Sequence, residues 1–128
     1  MHSFVSNIIY VAAGGALGAV LRYCVSVIFS GTHSFIPLPT LFVNITGSFL
    51  MGLLFTCFSI FYTPSHTRLL LLVGLLGGYT TFSTFAFDSS ALLLKGDWVP
   101  FVLNLLCNNV GSILAAIGGV YLGKFIFQ

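Results

Sequence analysis

Residues 69–94 read LLLLVGLLGGYTTFSTFAFDSSALLL. A bilayer core is crossed by about 20 mostly apolar residues in a helix, and this run is long enough. Its one charged residue, Asp88, comes late. Gly77 and Gly78 are followed by Thr80 and Thr81, and glycine and β-branched residues both weaken a helix. A break at mid-membrane is tolerated only where the freed backbone groups meet protein or a wet cavity. It makes two half-helices: new carbonyl ends suit a cation, and new N–H ends suit an anion. The run predicts a spanning helix broken near its middle.

The rest of the chain repeats the apolar length without that break. Its 128 residues are 58% hydrophobic and 5% charged, with a mean hydropathy of +1.11. A soluble domain carries about 25% charged residues; four Lys/Arg and two Asp/Glu cannot cover such a globule. Loop formers at 30–39, 63–66 and 95–97 divide the chain into spans of about 4–29, 41–62, 69–94 and 99–127, with Pro100 tolerated in a first turn. That leaves no room for an appended soluble domain, and a net charge of +2 is too small to suggest nucleic acid. The N-terminus lacks the basic region and cleavage site of a signal peptide, so the first span is expected to be retained. The expected fold is a single all-α membrane domain over residues 1–128, with four transmembrane helices and the third broken.

Lys/Arg bias normally sets orientation. Here Arg68 and Lys124 fall on one side and Arg22 and Lys95 on or near the other. Either so few charges are uninformative, or the chain inserts both ways and permits an antiparallel two-fold dimer. Small residues at four-residue steps (Gly14 and Gly18; Ser48 and Gly52; Gly111, Ala115, Gly119 and Gly123) mark close-packing faces without chemistry of their own. Four short helices cannot enclose a wide path, so oligomerisation through these faces is expected. Enzymatic chemistry is not expected: His2, His33 and His66 lie at the terminus or in loops without a nucleophile at working distance. Cys24, Cys57 and Cys107 sit singly in apolar spans and read as buried small hydrophobes.

Polar residues inside spans are costly unless paired or wet. Arg22 either snorkels to the nearer interface or serves a polar path. Asn44, four residues after Thr40 on one helix face, either bonds another helix or lines such a path. Asn104, Asn108 and Ser112 form a four-residue stripe open to the same two readings. Phe82 and Phe85 lie three apart, and a phenyl ring is positive at its edge. Two edges aimed into a narrow path favour a small anion without a full charge, beside the hydroxyls of Ser83 and Thr84. A permeating ion must be bound firmly enough to lose water and weakly enough to leave. Neutral amides, hydroxyls and ring edges in series meet both demands for an anion that accepts strong hydrogen bonds.

Three stretches carry a resemblance: GGALGAVLRY (Gly14 to Tyr23), PTLFVNITGSF (Pro39 to Phe49) and GLLGGYTTFSTF (Gly74 to Phe85), with Gly111–Ser112 fitting in the last span. The chain resembles the fluoride channel family, the Fluc or CrcB proteins, across all four spans. The resemblance implies a dual-topology antiparallel homodimer in the cell membrane, with two pores that export fluoride passively. Such export limits toxicity after HF enters a more alkaline cytoplasm and dissociates. It implies that Asn44, Phe82, Phe85, Ser83, Thr84 and Ser112 line the fluoride pore, with Asn108 a further candidate. Arg22 and Thr40 take vestibule or structural positions. Backbone carbonyls of Gly77 and Thr80 hold a structural sodium ion between subunits. The chain departs from the family pattern at Pro39, usually Gly, and at Asp88, usually Glu.

Two other readings compete. A small multidrug-efflux transporter also has four short helices, but proton-coupled cation export needs an embedded carboxylate, and only Asp88 offers one. A purely structural subunit gives no reason for Asn44 together with the GGYTTFSTF string.

Overall fold

The computed structural model describes residues 2–128, with the side chain of His2 outside the description. Four helices are long and apolar enough to cross a membrane: Ser3–Ile28, Leu38–Ile60, Ser65–Lys95 and Trp98–Phe127. The first is α1 (His2–Ile28) and the second α2 (Leu38–Ile60). Pro39 sits in the first turn of α2, where its missing N–H has no intrahelical partner to lose; the helix therefore starts before the prolines end. The third span begins earlier than expected, at α3 (Ser65–Arg68), and continues through a π-helical segment, Leu69–Leu76, into α4 (Gly77–Tyr79). After the break come α5 (Phe82–Lys95) and α6 (Trp98–Phe127). Gly96 takes the left-handed conformation, φ +81°, that closes α5. The Asp97 N–H then reaches back to the Leu92 carbonyl at 3.0 Å, turning the chain into α6.

The break begins two residues beyond the glycine pair, at Thr80. Gly77 and Gly78 remain helical, whereas Thr80 (ψ 160°) and Thr81 (φ −153°, ψ 120°) are extended. Helix propensity alone points to the glycines, but tertiary contact at Gly78 holds the pair in register. Gly78 lies against the backbone of Gly15, where a Cβ would come within 2.6 Å of a carbonyl oxygen.

Two helix pairs carry most of the packing: α1 on the π segment and α4, and α2 on α6. In the first, Gly14 and Gly18 meet the backbone of Leu70, Leu75 and Tyr79. In the second, Gly52 lies on Ala116, Gly119 on Phe49 and Gly123 on Thr56. This corrects the expectation that the small-residue rows serve oligomerisation, because these glycines are consumed within one chain. The cysteines also differ from expectation: Cys24 is exposed and Cys57 and Cys107 are half-buried, all of them free. Among the described residues only Val43, Leu76 and Phe85 form a fully buried apolar core. The outward faces carry large apolar side chains, as a lipid-facing surface should.

Candidate functional site

The break frees backbone groups, and one side chain takes them up. Asn44, from α2, accepts the Thr81 N–H at 2.9 Å and donates to the Thr81 carbonyl at 3.1 Å. Its Nδ2 donates a second time, to Asn108 Oδ1 at 3.0 Å. Asn108 Nδ2 donates to Asn104 Oδ1 (2.8 Å) and to the Asn104 carbonyl (3.2 Å). Asn104 Nδ2 donates to Ser89 Oγ (2.9 Å), and the Ser89 hydroxyl donates to the Phe85 carbonyl (2.8 Å). Asn104 is fully buried, at 0% exposure. The chain of bonds leaves α5 at its N-terminus, crosses α2 and α6, and returns to α5.

Backbone groups at both ends fix the direction of every amide in that chain. The Thr81 N–H can only donate, so Asn44 must offer its oxygen there and its nitrogen to Asn108. The Phe85 carbonyl can only accept, so Ser89 donates to it and receives from Asn104. With all donors pointing one way, the bonds reinforce one another. A hydrogen-bonded Asn is worth about 0.6 kcal/mol on average in a membrane interior, and here three of them are joined.

Thr81 also caps α5. Its Oγ1 accepts the Thr84 N–H at 3.2 Å and contacts Ser83 Oγ at 3.2 Å and Thr84 Oγ1 at 3.1 Å. The same events deprive two carbonyls of their helical donors. Thr81 N–H, which a continuous helix would give to Gly77, goes to Asn44; Thr84 N–H, which it would give to Thr80, goes to the Thr81 hydroxyl. The Gly77 carbonyl has thus lost the Thr81 N–H, and among the described residues the Thr80 carbonyl accepts no hydrogen bond. Two carbonyls one turn apart, both freed of their i+4 donors, fit a hard cation such as sodium.

A cavity of about 380 Å³ opens beside the break, walled by Asn44, Ser48, Thr80, Phe82, Phe85 and Ser112, with Asn108 and Asn109. Phe82 and Phe85 are in contact, ring centroids 5.4 Å apart and planes tilted by 58°. Phe85 is buried (5% exposed), while Phe82 is largely exposed (75%); the touching rings lie on one side of α5 and both wall this cavity. A second cavity, about 290 Å³, is lined by Arg22, Tyr23, Thr40, Thr81 and Thr84. Thr81 borders both cavities. In the second, Thr40 donates its hydroxyl to Asp88 Oδ2 at 2.7 Å.

Residues 9–120 match the family described as CrcB-like protein, Camphor Resistance (CrcB). The chain belongs to the CrcB family. It is 42% identical over 122 residues to the fluoride-specific ion channel FluC of Shewanella amazonensis, covering 93% of this chain and 94% of that protein. It is 42% identical over 122 residues to FluC of Magnetococcus marinus (94% and 99%) and 41% identical over 124 residues to FluC of Chloroflexus aurantiacus (94% and 97%).

In this CrcB-family chain, the residues singled out in the sequence fall into three groups. Asn44, Phe82, Phe85 and Ser112 meet at the first cavity, and Asn108 and Thr80 join them there. Arg22, Thr40 and Thr84 meet at the second. Ser83 borders neither, and is tied to them through the Thr81 hydroxyl. Gly77 is exposed on the outer face of α4. Sequence reasoning missed Ser89 and treated Ser48 as packing. Both were accessible to it, since Ser89 lies four residues after Phe85 and Ser48 four after Asn44.

Proposed function

We propose that this chain is a fluoride-specific ion channel that carries fluoride passively across the membrane, and that it does so as an antiparallel, dual-topology homodimer with two pores. Full-length similarity to proteins named for that activity carries the reading. The chain's own chemistry supports it. The first cavity offers amides, hydroxyls and ring edges in place of a charged side chain. A buried Lys or Arg would hold a small hard anion too tightly for rapid passage, whereas neutral donors in series let it leave.

In this reading Arg22 and Thr40 stand at a vestibule and draw the anion in. Asn44, Ser83, Thr84 and Ser112 line the polar side of the path, with Asn108 beside them, and Phe82 and Phe85 present ring edges. The exposure of Phe82 supports a dimer: a ring that serves a pore must be enclosed, and a second copy supplies the missing wall. The carbonyls of Gly77 and Thr80, freed of their i+4 donors, with Gly77 on an outer face, favour a structural sodium ion shared between two protomers. Sodium held by the Gly77 and Thr80 carbonyls would supply positive charge beside the helix break. The even division of four Lys/Arg between the two sides suits insertion in both directions. One domain, residues 1–128, carries the whole function. Export of fluoride that re-forms from HF in a more alkaline cytoplasm is the physiological role.

The test is fluoride efflux from loaded proteoliposomes on addition of valinomycin. Fluoride should leave rapidly and chloride should not; equal rates, or no fluoride release, defeat the reading. Phe82→Ile and Phe85→Ile should each slow efflux sharply while purified protein still assembles. Unchanged flux in both would remove the ring-edge argument.

A further inference from the structure

The wall of the first cavity holds fewer free donors than its composition suggests. Both Asn44 N–H bonds are engaged, by Thr81 and Asn108, and Asn108 donates to Asn104. The Thr80 hydroxyl donates to the Leu76 carbonyl at 2.9 Å, and Asn109 gives one N–H to Leu105 at 2.7 Å. Ser48 and Ser112 are different. Most hydroxyls in these helices bond back one turn, as Thr46, Thr56, Ser59 and Ser89 do. Among the described residues neither Ser48 nor Ser112 makes any hydrogen bond, and neither oxygen is sealed away from the cavity.

Register sets these two hydroxyls opposite each other. Helices α2 and α6 run parallel, because contacts advance together along both: Ile45 on Gly111, Gly52 on Ala116, Thr56 on Gly123. Asn44 and Asn108 form one rung, at 3.0 Å. Ser48 and Ser112 each lie four residues further on, so they form the next rung on the same faces. Thr40, Asn44 and Ser48 on α2 thus run beside Asn104, Asn108 and Ser112 on α6.

We propose that Ser48 is a fluoride-binding residue, and that its hydroxyl and that of Ser112 together make a two-donor site in the cavity. The proposal rests on the channel reading and adds to it a donor assigned until now to packing. Fluoride accepts strong O–H hydrogen bonds, and these are the hydroxyl pair that a passing anion can take without breaking the helix brace. The locked amide chain holds the two helices at the separation that keeps the pair open.

The experiment compares wild type, Ser48→Ala and Ser48→Thr in proteoliposomes, measuring efflux against fluoride concentration. Loss of one hydrogen bond to an anion should raise the half-saturating fluoride concentration about tenfold in Ser48→Ala, with Ser48→Thr close to wild type. Ser59→Ala, which removes a hydroxyl bonded to its own helix, should change nothing. If wild type releases no fluoride, the channel reading fails. If wild type conducts and Ser48→Ala shows the wild-type half-saturation, the hydroxyl pair alone is overturned. Should Ser48→Ala not assemble, Ser112→Ala provides the second measurement, and wild-type half-saturation there also overturns the pair.

Discussion

Between α1 and the first half of the third span, backbone meets backbone. A Cβ on Gly14 would stand 2.1 Å from the Leu70 carbonyl oxygen, and one on Gly18 2.1 Å from that of Leu75. No side-chain hydrogen bond joins α1 to that half-span among the described residues. Between α2 and α6 the contact changes character along its length. Toward Gly52, Gly119 and Gly123 it is equally dry, but from Thr40 to Ser48 it is a ladder of amides and hydroxyls. Both seams use the same four-residue spacing. Glycine at that spacing removes side chains and fixes distance; asparagine and serine put donors where the distance has been fixed. The dry seams are the frame, and the wet one is where an ion can be handled.

The largest expected effect comes from filling the dry seam. Gly14→Leu sets a branched side chain against backbone that cannot retreat, where overpacking costs about 1–3 kcal/mol even in more forgiving cores. Purified yield of monodisperse protein should collapse. Gly118→Leu is the contrast, since nothing lies within 4 Å of its Cβ position, and it should purify and conduct like wild type. Equal tolerance of both changes would mean that α1 does not depend on backbone contact.

A smaller effect is expected in the wet seam, where loss should register in flux before it registers in folding. Asn104→Leu keeps volume but leaves Asn108 and Ser89 without their shared partner. A buried polar group so stranded costs about 1–3 kcal/mol. Fluoride efflux should fall about tenfold with assembly retained, because α5, cut from continuous helix at Thr80–Thr81, then loses the brace that orients Phe82 and Phe85. Ser89→Ala should fall less, and the double variant no further than Asn104→Leu alone, as expected for links of one network. Strict additivity would show that the two residues act separately.

Much of this was legible in the sequence. The four spans follow from apolar length and loop formers, and the broken third span from a glycine pair next to threonines. Position was harder to read: the glycine pair stays helical because Gly15 packs on Gly78, a contact between residues more than sixty apart that local propensity does not express. The π-helical stretch at Leu69–Leu76 carries no signal in a run of leucines. Asn44 and Asn108 could be singled out as costly polar residues, but their mutual bond depends on α2 and α6 lying parallel. Ser48 was misread because serine belongs to both vocabularies: it is small enough to pack beside Gly52 and polar enough to follow Asn44.

Asp88 gives the smallest expected effect and separates hydrogen bonding from charge at the edge of the wet region. Its Oδ2 accepts the Thr40 hydroxyl at 2.7 Å, and Thr40 lines the cavity that holds Arg22. If the carboxylate matters as an acceptor, Asp88→Asn keeps the bond through its amide oxygen, and flux should stay within about twofold of wild type. Removing a negative charge near an anion's path should even raise flux slightly at low ionic strength, and the gain should vanish as salt screens it. Asp88→Leu breaks the bond, leaves the Thr40 hydroxyl unpaired on a buried residue, and should lower flux at every salt concentration. A proton-coupled cation exporter predicts the opposite ranking: there the carboxylate is the proton carrier, so Asp88→Asn would be as damaging as Asp88→Leu. Wild-type efflux from the asparagine variant therefore separates an ion channel from an exporter at a single residue.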